Sequence, residues 1–246
     1  LPKKHLITSD VVLGAIRLPE DDLMHYYALL DGFNTTYDNA GLFPGLNPGV
    51  NKPFNYNENG FEGEEPDIYV EIGWRYMMAG GAMYNNLDYS FTVGHEDGTG
   101  TQKPPPGRRT PGSADPKMQD YMAVLLDFMN SIPFVEMKPM DEIIVSAGKW
   151  GGHALGKEGR AYAFMFVGEV IISPVVNLPA GEYVSEWIDV RTGQVKDREV
   201  FAHAGGDRGI KPSSPSLGVG ALRIFRKNAT GEALPLPDAT ALSIVP

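Results

Sequence analysis

Apolar and polar positions along this chain follow two different patterns, and the change falls near residue 142. Upstream, short apolar segments interleave with helical spacing. His5–Ser9, Leu23–Tyr27, Lys52–Glu58 and Ala82–Val93 read as strands, with a helical alternative open over Leu23–Leu30. Asp67–Ala79 sets Ile68, Ile72, Tyr76 and Ala79 at helical intervals and meets Gly80-Gly81 as a stop. Pro116–Ser131 predicts a second helix, with Asp115 as N-cap, Pro116 in the first position, and Met118, Tyr121, Met122, Leu125 and Met129 as its stripe. Strands alternating with helices argue for parallel βα units.

Downstream of residue 142 the helical signals vanish. Ile143–Ser146, Arg160–Val167, Val170–Ile172, Gly181–Asp189, Gln194–Phe201 and Gly218–Lys227 read as short strands, with a hairpin turn over Asp189–Gln194. This pattern predicts an antiparallel β-sandwich. The expected fold class is therefore α/β followed by all-β, with residues 1–142 as βα units and 143–246 as the sandwich. Four segments rich in Gly, Asn and Pro, at 31–53, 94–116, 148–160 and 202–216, read as loops.

Composition narrows the field further. No apolar run reaches the ~18–20 residues of a membrane span, so no membrane partner is expected. A net charge of −10 opposes nucleic-acid binding. With no cysteine there is no disulfide, thiol nucleophile or thiolate metal site. Phosphate-binding glycine loops, HExxH and GxSxG are absent from the sequence, so nucleotide, nicotinamide, zinc-protease and serine-hydrolase chemistry lack support, and no cofactor is expected.

Three constellations can carry chemistry. The first is Asn55-Tyr56-Asn57-Glu58-Asn59-Gly60, where a carboxylate ends a predicted strand and a turn glycine follows at once. Catalytic groups of parallel βα units collect at strand carboxyl ends. The neighbouring asparagines can hold the Glu58 carboxylate by hydrogen bonds. The second is Tyr84, Asn86 and Asp88, which share one face of Ala82–Val93, with Tyr89 beside them and His95-Glu96-Asp97 just beyond. A buried polar set costs ~1–3 kcal/mol per unpaired group, so it normally lines a polar site. Adjacent His95, Glu96 and Asp97 rarely converge on one ion, so a solvated loop and no metal are expected there. The third is His25-Tyr26-Tyr27, where His25 and Tyr27 offer hydrogen bonds and a stacking face to a sugar ring.

The stretch Lys52–Gly98 resembles the last strands of (β/α)8-barrel retaining glycoside hydrolases, in which the nucleophile glutamate ends the seventh strand, often followed by Asn-Gly. Glu58-Asn59-Gly60 matches that motif, and Arg75–Glu96 is similar to the eighth strand and its preceding helix in bacterial glycosidase-like proteins. Leu178-Pro179-Ala180-Gly181-Glu182-Tyr183 and Glu186-Trp187-Ile188-Asp189 look like the β-sandwich that follows such barrels. The resemblance implies hydrolysis of a β-linked polysaccharide or oligosaccharide, with Glu58 as nucleophile. It implies a substrate lined by His25, Tyr27, Asn57, Tyr84, Asn86, Tyr89 and His95. It also implies a secreted or periplasmic bacterial protein, although no signal peptide is visible in this chain.

The match departs from the family at one point. Residues 1–142 have room for only about four βα units, resembling strands five to eight, whereas a barrel needs eight. The family's acid/base glutamate ends the fourth strand, and only Asp88 and Glu96 stand in for it here. A half-barrel leaves open edges and an uncovered inner face, so a homodimer, or association with the missing N-terminal half, is expected. Two other readings stay open: a carbohydrate-binding or structural remnant without hydrolysis, and an interaction module led by the sandwich.

Overall fold

A computed structural model describes residues 6–12, 31–36, 44, 50–59, 65–86, 91–100, 116–147, 151–171, 173–212 and 216–227. Spatial proximity divides the chain into Leu1–Asp120 and Tyr121–Pro246. The division passes through a helix, upstream of the expected boundary at 142.

The first unit holds four strands, β1 (Thr8–Val12), β2 (Gly32–Thr36), β3 (Phe54–Asn59) and β4 (Met83–Asn86). They form one sheet in chain order, and every neighbouring pair is parallel. Helix α1 (Pro66–Met78) makes the crossover from β3 to β4. Its start is set by Pro66, whose missing N–H costs nothing in the first turn, and by Asp67, whose charge favours the helix amino end. Glu71 and Arg75 pair at 2.9 Å one turn apart. The helix stops at Gly80, which has φ 99°.

The buried face of α1 keeps Tyr76 and Ala79 of the expected stripe but not Ile68. Tyr69, Val70, Gly73, Trp74, Tyr76 and Met77 are buried, while Ile68 is 38% exposed. The aromatic residues prevail because each buries more area than an isoleucine and has ring partners. Tyr76 lies 5.3 Å from Tyr56 between ring centroids, and Phe33 lies 5.8 Å from Phe54.

Two strand expectations are corrected in this unit. The segment 31–53, expected to be loop, contains β2, which sits between β1 and β3. Gly32 and the polar run after it hid a strand whose stability comes from pairing on both sides and from burial of Phe33. The expected strand Leu23–Tyr27 lies outside the described residues. β4 is shorter than Ala82–Val93: described structure resumes at Phe91 as a tight turn with one bridge, Thr92 to His95.

The second unit begins in helix α2 (Pro116–Asn130) and continues through short 3-10 turns at Phe134–Glu136 and Asp141–Ile143. Its strands are β5 (Lys138–Pro139), β6 (Ile144–Ser146), β7 (Gly152–Lys157), β8 (Ala161–Ile171), β9 (Val175–Leu178), β10 (Gly181–Ile188), β11 (Val195–His203), β12 (Gly206–Gly209) and β13 (Ser216–Arg226). Six of them form a sheet in the order β11-β10-β13-β8-β7-β5, and three form another in the order β12-β9-β6. Both sheets are antiparallel.

One apolar cluster draws on both sheets. β8 gives Tyr162, Phe164 and Phe166, β10 gives Tyr183 and Trp187, β13 gives Leu222 and Ile224, and β9 gives Val176 and Leu178. These are alternate positions of each strand, as period-two patterning requires. The turn Asp189–Gln194 joins β10 to β11. Asp189 Oδ1 accepts the N–H groups of Arg191 and Thr192, and Gly193 takes φ 71°.

β7 and β12 lie inside segments expected to be loops, because their glycines read as breakers. In β7 the glycines serve packing. A Cβ at Gly152 would run into the Met165 carbonyl, and one at Gly156 into the Met140 sulfur.

Candidate active site

The sheet of the first unit has two chemically different faces. Phe33, Phe54 and Tyr56 are buried on the face that packs against α1. On the other face, Thr8, Asn34 and Asn55 are linked across three strands. The Asn34 side-chain amide donates to Thr8 Oγ1 at 3.0 Å, and that of Asn55 donates to Asn34 Oδ1 at 3.1 Å. Such cross-strand side-chain pairs help hold neighbouring strands together. Met83, 45% exposed, and the exposed Asn85 lie on this second face of β4.

Glu58 occupies the carboxyl end of β3, and a bulge decides which face it takes. Against β2, Tyr56 pairs with Thr35 and Glu58 with Thr36, so Asn57 is the extra residue. Against β4, Tyr56 pairs with Tyr84 and Asn59 with Asn86, leaving both Asn57 and Glu58 between them. Paired residues in parallel strands share a face, so Tyr56 and Asn59 both turn towards α1 and Glu58 turns away. Without the bulge, strict alternation would direct Glu58 into the aromatic core beside Tyr56. Glu58 is instead half-buried on the polar face, at the strand end where such folds place reacting groups.

Among the described residues, the two flanking asparagines bond to β4. The Asn59 side chain is 3% exposed and donates to the Tyr84 hydroxyl at 2.7 Å. The Asn57 carbonyl accepts the Asn85 side-chain amide at 2.9 Å.

Tyr84 and Asn86 are placed differently from the sequence reading, which set them in one cleft with Glu58. The Tyr84 hydroxyl donates to the Tyr69 carbonyl of α1 at 3.3 Å, and its ring meets Tyr56 edge-on at 5.6 Å. Burial pushes its phenol pKa well above the ordinary value, although the Asn59 bond works the other way. Asn86, on the same face, directs its amide to the Met118 sulfur of α2 at 3.7 Å. Both residues belong to the helix side of the sheet. The polarity of the Tyr84–Asn86 set was legible in sequence, but its side depended on the pairing of Tyr84 with Tyr56.

His95 and Glu96 lie in the turn after β4 and are exposed. His95 Nδ1 meets Thr99 Oγ1 at 3.0 Å, and Asp97 Oδ1 accepts both the Thr99 N–H and its hydroxyl. Glu96 Oε1 accepts the Gly94 N–H at 3.0 Å, and that bond holds its carboxyl below the usual range. Glu96 as placed thus accepts a bond from within its own turn. Among the described residues no His, Asp or Glu group is arranged to hold a metal. His25, Tyr27, Asp88 and Tyr89 lie outside the described residues.

Four parallel strands in chain order, with a carboxylate at a strand end, define a βα fold of the kind that carries sites at strand carboxyl ends. Comparison with solved structures specifies it: the fold is glycoside hydrolase-like. One solved glycoside hydrolase superposes with a TM-score of 0.63 at 12% identity, covering 90% of this chain and 57% of its own. A glycoside hydrolase family 5 protein from Bacteroides vulgatus superposes with a TM-score of 0.63 at 13% identity, covering 96% of this chain and 59% of its own. The chain thus spans somewhat under three fifths of the length of these structures. No protein-family model and no curated protein matches the sequence.

Proposed function

We propose that this chain is the part of a retaining glycoside hydrolase that carries the nucleophile, Glu58, and that it acts on a β-linked polysaccharide or oligosaccharide. The observation that carries the reading is the bulge in β3, which turns Glu58 away from the aromatic core at a strand carboxyl end, in a glycoside hydrolase-like fold. In this chemistry the carboxylate attacks the anomeric carbon, and the glycosidic bond breaks as a second carboxyl group protonates the leaving oxygen. Water, deprotonated by that second group, then releases the sugar and regenerates the carboxylate. The second group must stand ~5–5.5 Å from Glu58. Asp88, Glu96 or a carboxyl group from another chain segment would supply it.

The two sheets of the second unit fit a β-sandwich, since one cluster takes side chains from both. The proposal includes completion of the barrel by a second copy of this chain or by a chain carrying the other four βα units. In the four-stranded sheet β1 and β4 each have one described neighbour, and barrel closure supplies the other.

The test is release of reducing sugar from a panel of β-linked glycans by the wild type and by Glu58→Gln. The amide keeps the shape and removes the nucleophile, so release falls by orders of magnitude while the melting temperature holds. Equal release by both proteins overturns the assignment. Saturable glycan binding with no release by the wild type favours the alternative, a carbohydrate-binding remnant.

A further inference from the structure

The bulge that turns Glu58 to the polar face is held from both sides. Below it, the buried Asn59 side chain donates to the Tyr84 hydroxyl, which donates onward to the Tyr69 carbonyl in α1. Beside it, Asn85 of β4 donates to the carbonyl of Asn57, the extra residue itself. Each bond spans two elements, so together they tie the irregular end of β3 to the helix and to the neighbouring strand. Asn59 can be buried only if its amide is satisfied, because an unmet buried donor costs ~1–3 kcal/mol. The Tyr84 hydroxyl therefore makes the bulged register affordable, and in that register Glu58 leaves the core.

The geometry points to Tyr84, Asn59 and Asn85 as positioning residues for Glu58: the relay from Asn59 through Tyr84 to Tyr69 and the clamp from Asn85 to Asn57 lock the bulge that directs the carboxylate. This rests on the reading of Glu58 as the reacting carboxylate, but the locking itself is independent of any activity. It gives Tyr84 a role other than contact with sugar, since its hydroxyl is committed to Asn59 and Tyr69. Bulges beside reacting groups characteristically re-aim one side chain in this way.

The experiment uses the full chain with carbon-labelled glutamate, the Glu58 carboxyl resonance being identified by its loss in Glu58→Gln. Tyr84→Phe keeps the ring against Tyr56 and removes only the hydroxyl. Asn85→Ala removes the clamp at an exposed position. The expected result is a displaced Glu58 carboxyl chemical shift in each variant. Amide exchange at residues 57–59 should accelerate about tenfold or more, while exchange in the middle of α1 stays unchanged. A residue that merely stabilises the fold would lower the melting temperature and leave the Glu58 carboxyl resonance where it was. An unmoved Glu58 carboxyl resonance, with exchange at 57–59 unchanged in both variants, overturns the proposal. If Tyr84→Phe does not fold, Asn85→Ala decides alone. Hydrolysis that survives Glu58→Gln would defeat the functional reading and leave the bulge result standing.

Discussion

Single side chains in this protein act through what their neighbours leave available. Asp189 shows the point in the β10–β11 turn. Burial would raise its pKa, but Lys196 at 2.6 Å and the N–H groups of Arg191 and Thr192 outweigh that and leave it below the ordinary value. Because the folded pKa is depressed, the unfolded chain binds the proton more readily as pH falls. Asp189 therefore stabilises the fold above about pH 4 and loses that effect as pH drops through its folded pKa. Asp189→Ala should be less stable than wild type to urea at neutral pH, with the gap closing in acid; a gap independent of pH contradicts this. Gly81 illustrates a steric limit. A Cβ there would collide with the Tyr76 ring and approach the Tyr76 carbonyl at 2.7 Å, and Tyr76 is fully buried. Gly81→Ala is expected to cost about 1–3 kcal/mol in chemical denaturation.

At the scale of elements, the six-stranded sheet is held differently on its two faces. Inside, Trp187 packs 5.9 Å from Phe166 and is 4% exposed. Trp187→Ala should destabilise by about 3–5 kcal/mol, because the ring leaves a cavity that neighbouring strands cannot close. A loss under about 1 kcal/mol in denaturant titration would show that the cluster collapses around the gap. Outside, Glu186 on β10 takes Arg223 of β13 at 2.7 Å and Arg198 of β11 at 3.3 Å, and the strand register puts all three abreast. Cross-strand ion pairs contribute little each, so Glu186→Ala should cost on the order of 1 kcal/mol and less in high salt. Helix α1 was legible as a helix from its spacing and its Pro and Gly boundaries. Its buried face was legible only in part: Tyr76 and Ala79 are buried as the spacing predicts, whereas Tyr69 and Trp74 are buried in preference to Ile68.

For the whole molecule, the proposed barrel completion has a direct consequence. The polar face of the four-stranded sheet carries Thr8, Asn34, Asn55 and Glu58, and closure would place these inside a barrel mouth. Identical chains most often associate as symmetric pairs. Light scattering at micromolar concentration is expected to give at least twice the mass of one chain. A single-chain mass with cooperative unfolding would remove the basis for barrel completion and, with it, for a second carboxylate from another chain.

The sequence by itself determined the order of βα units before antiparallel strands, because helical and alternating spacing are local properties of neighbouring residues. It also determined Glu58 as the carboxylate at a strand end, since Asn55–Asn59 and the following Gly60 sit next to each other in the chain. What only the tertiary structure decided is which way residues face. The bulge at Asn57, visible only in the registers against β2 and β4, moved Glu58 out of the core, while the pairing of Tyr84 with Tyr56 placed Tyr84 and Asn86 on the helix side. The strands β2, β7 and β12 likewise needed their neighbours. Their glycines and polar residues have weak intrinsic preference for extended backbone, and pairing with adjacent strands supplies the stability that propensity does not.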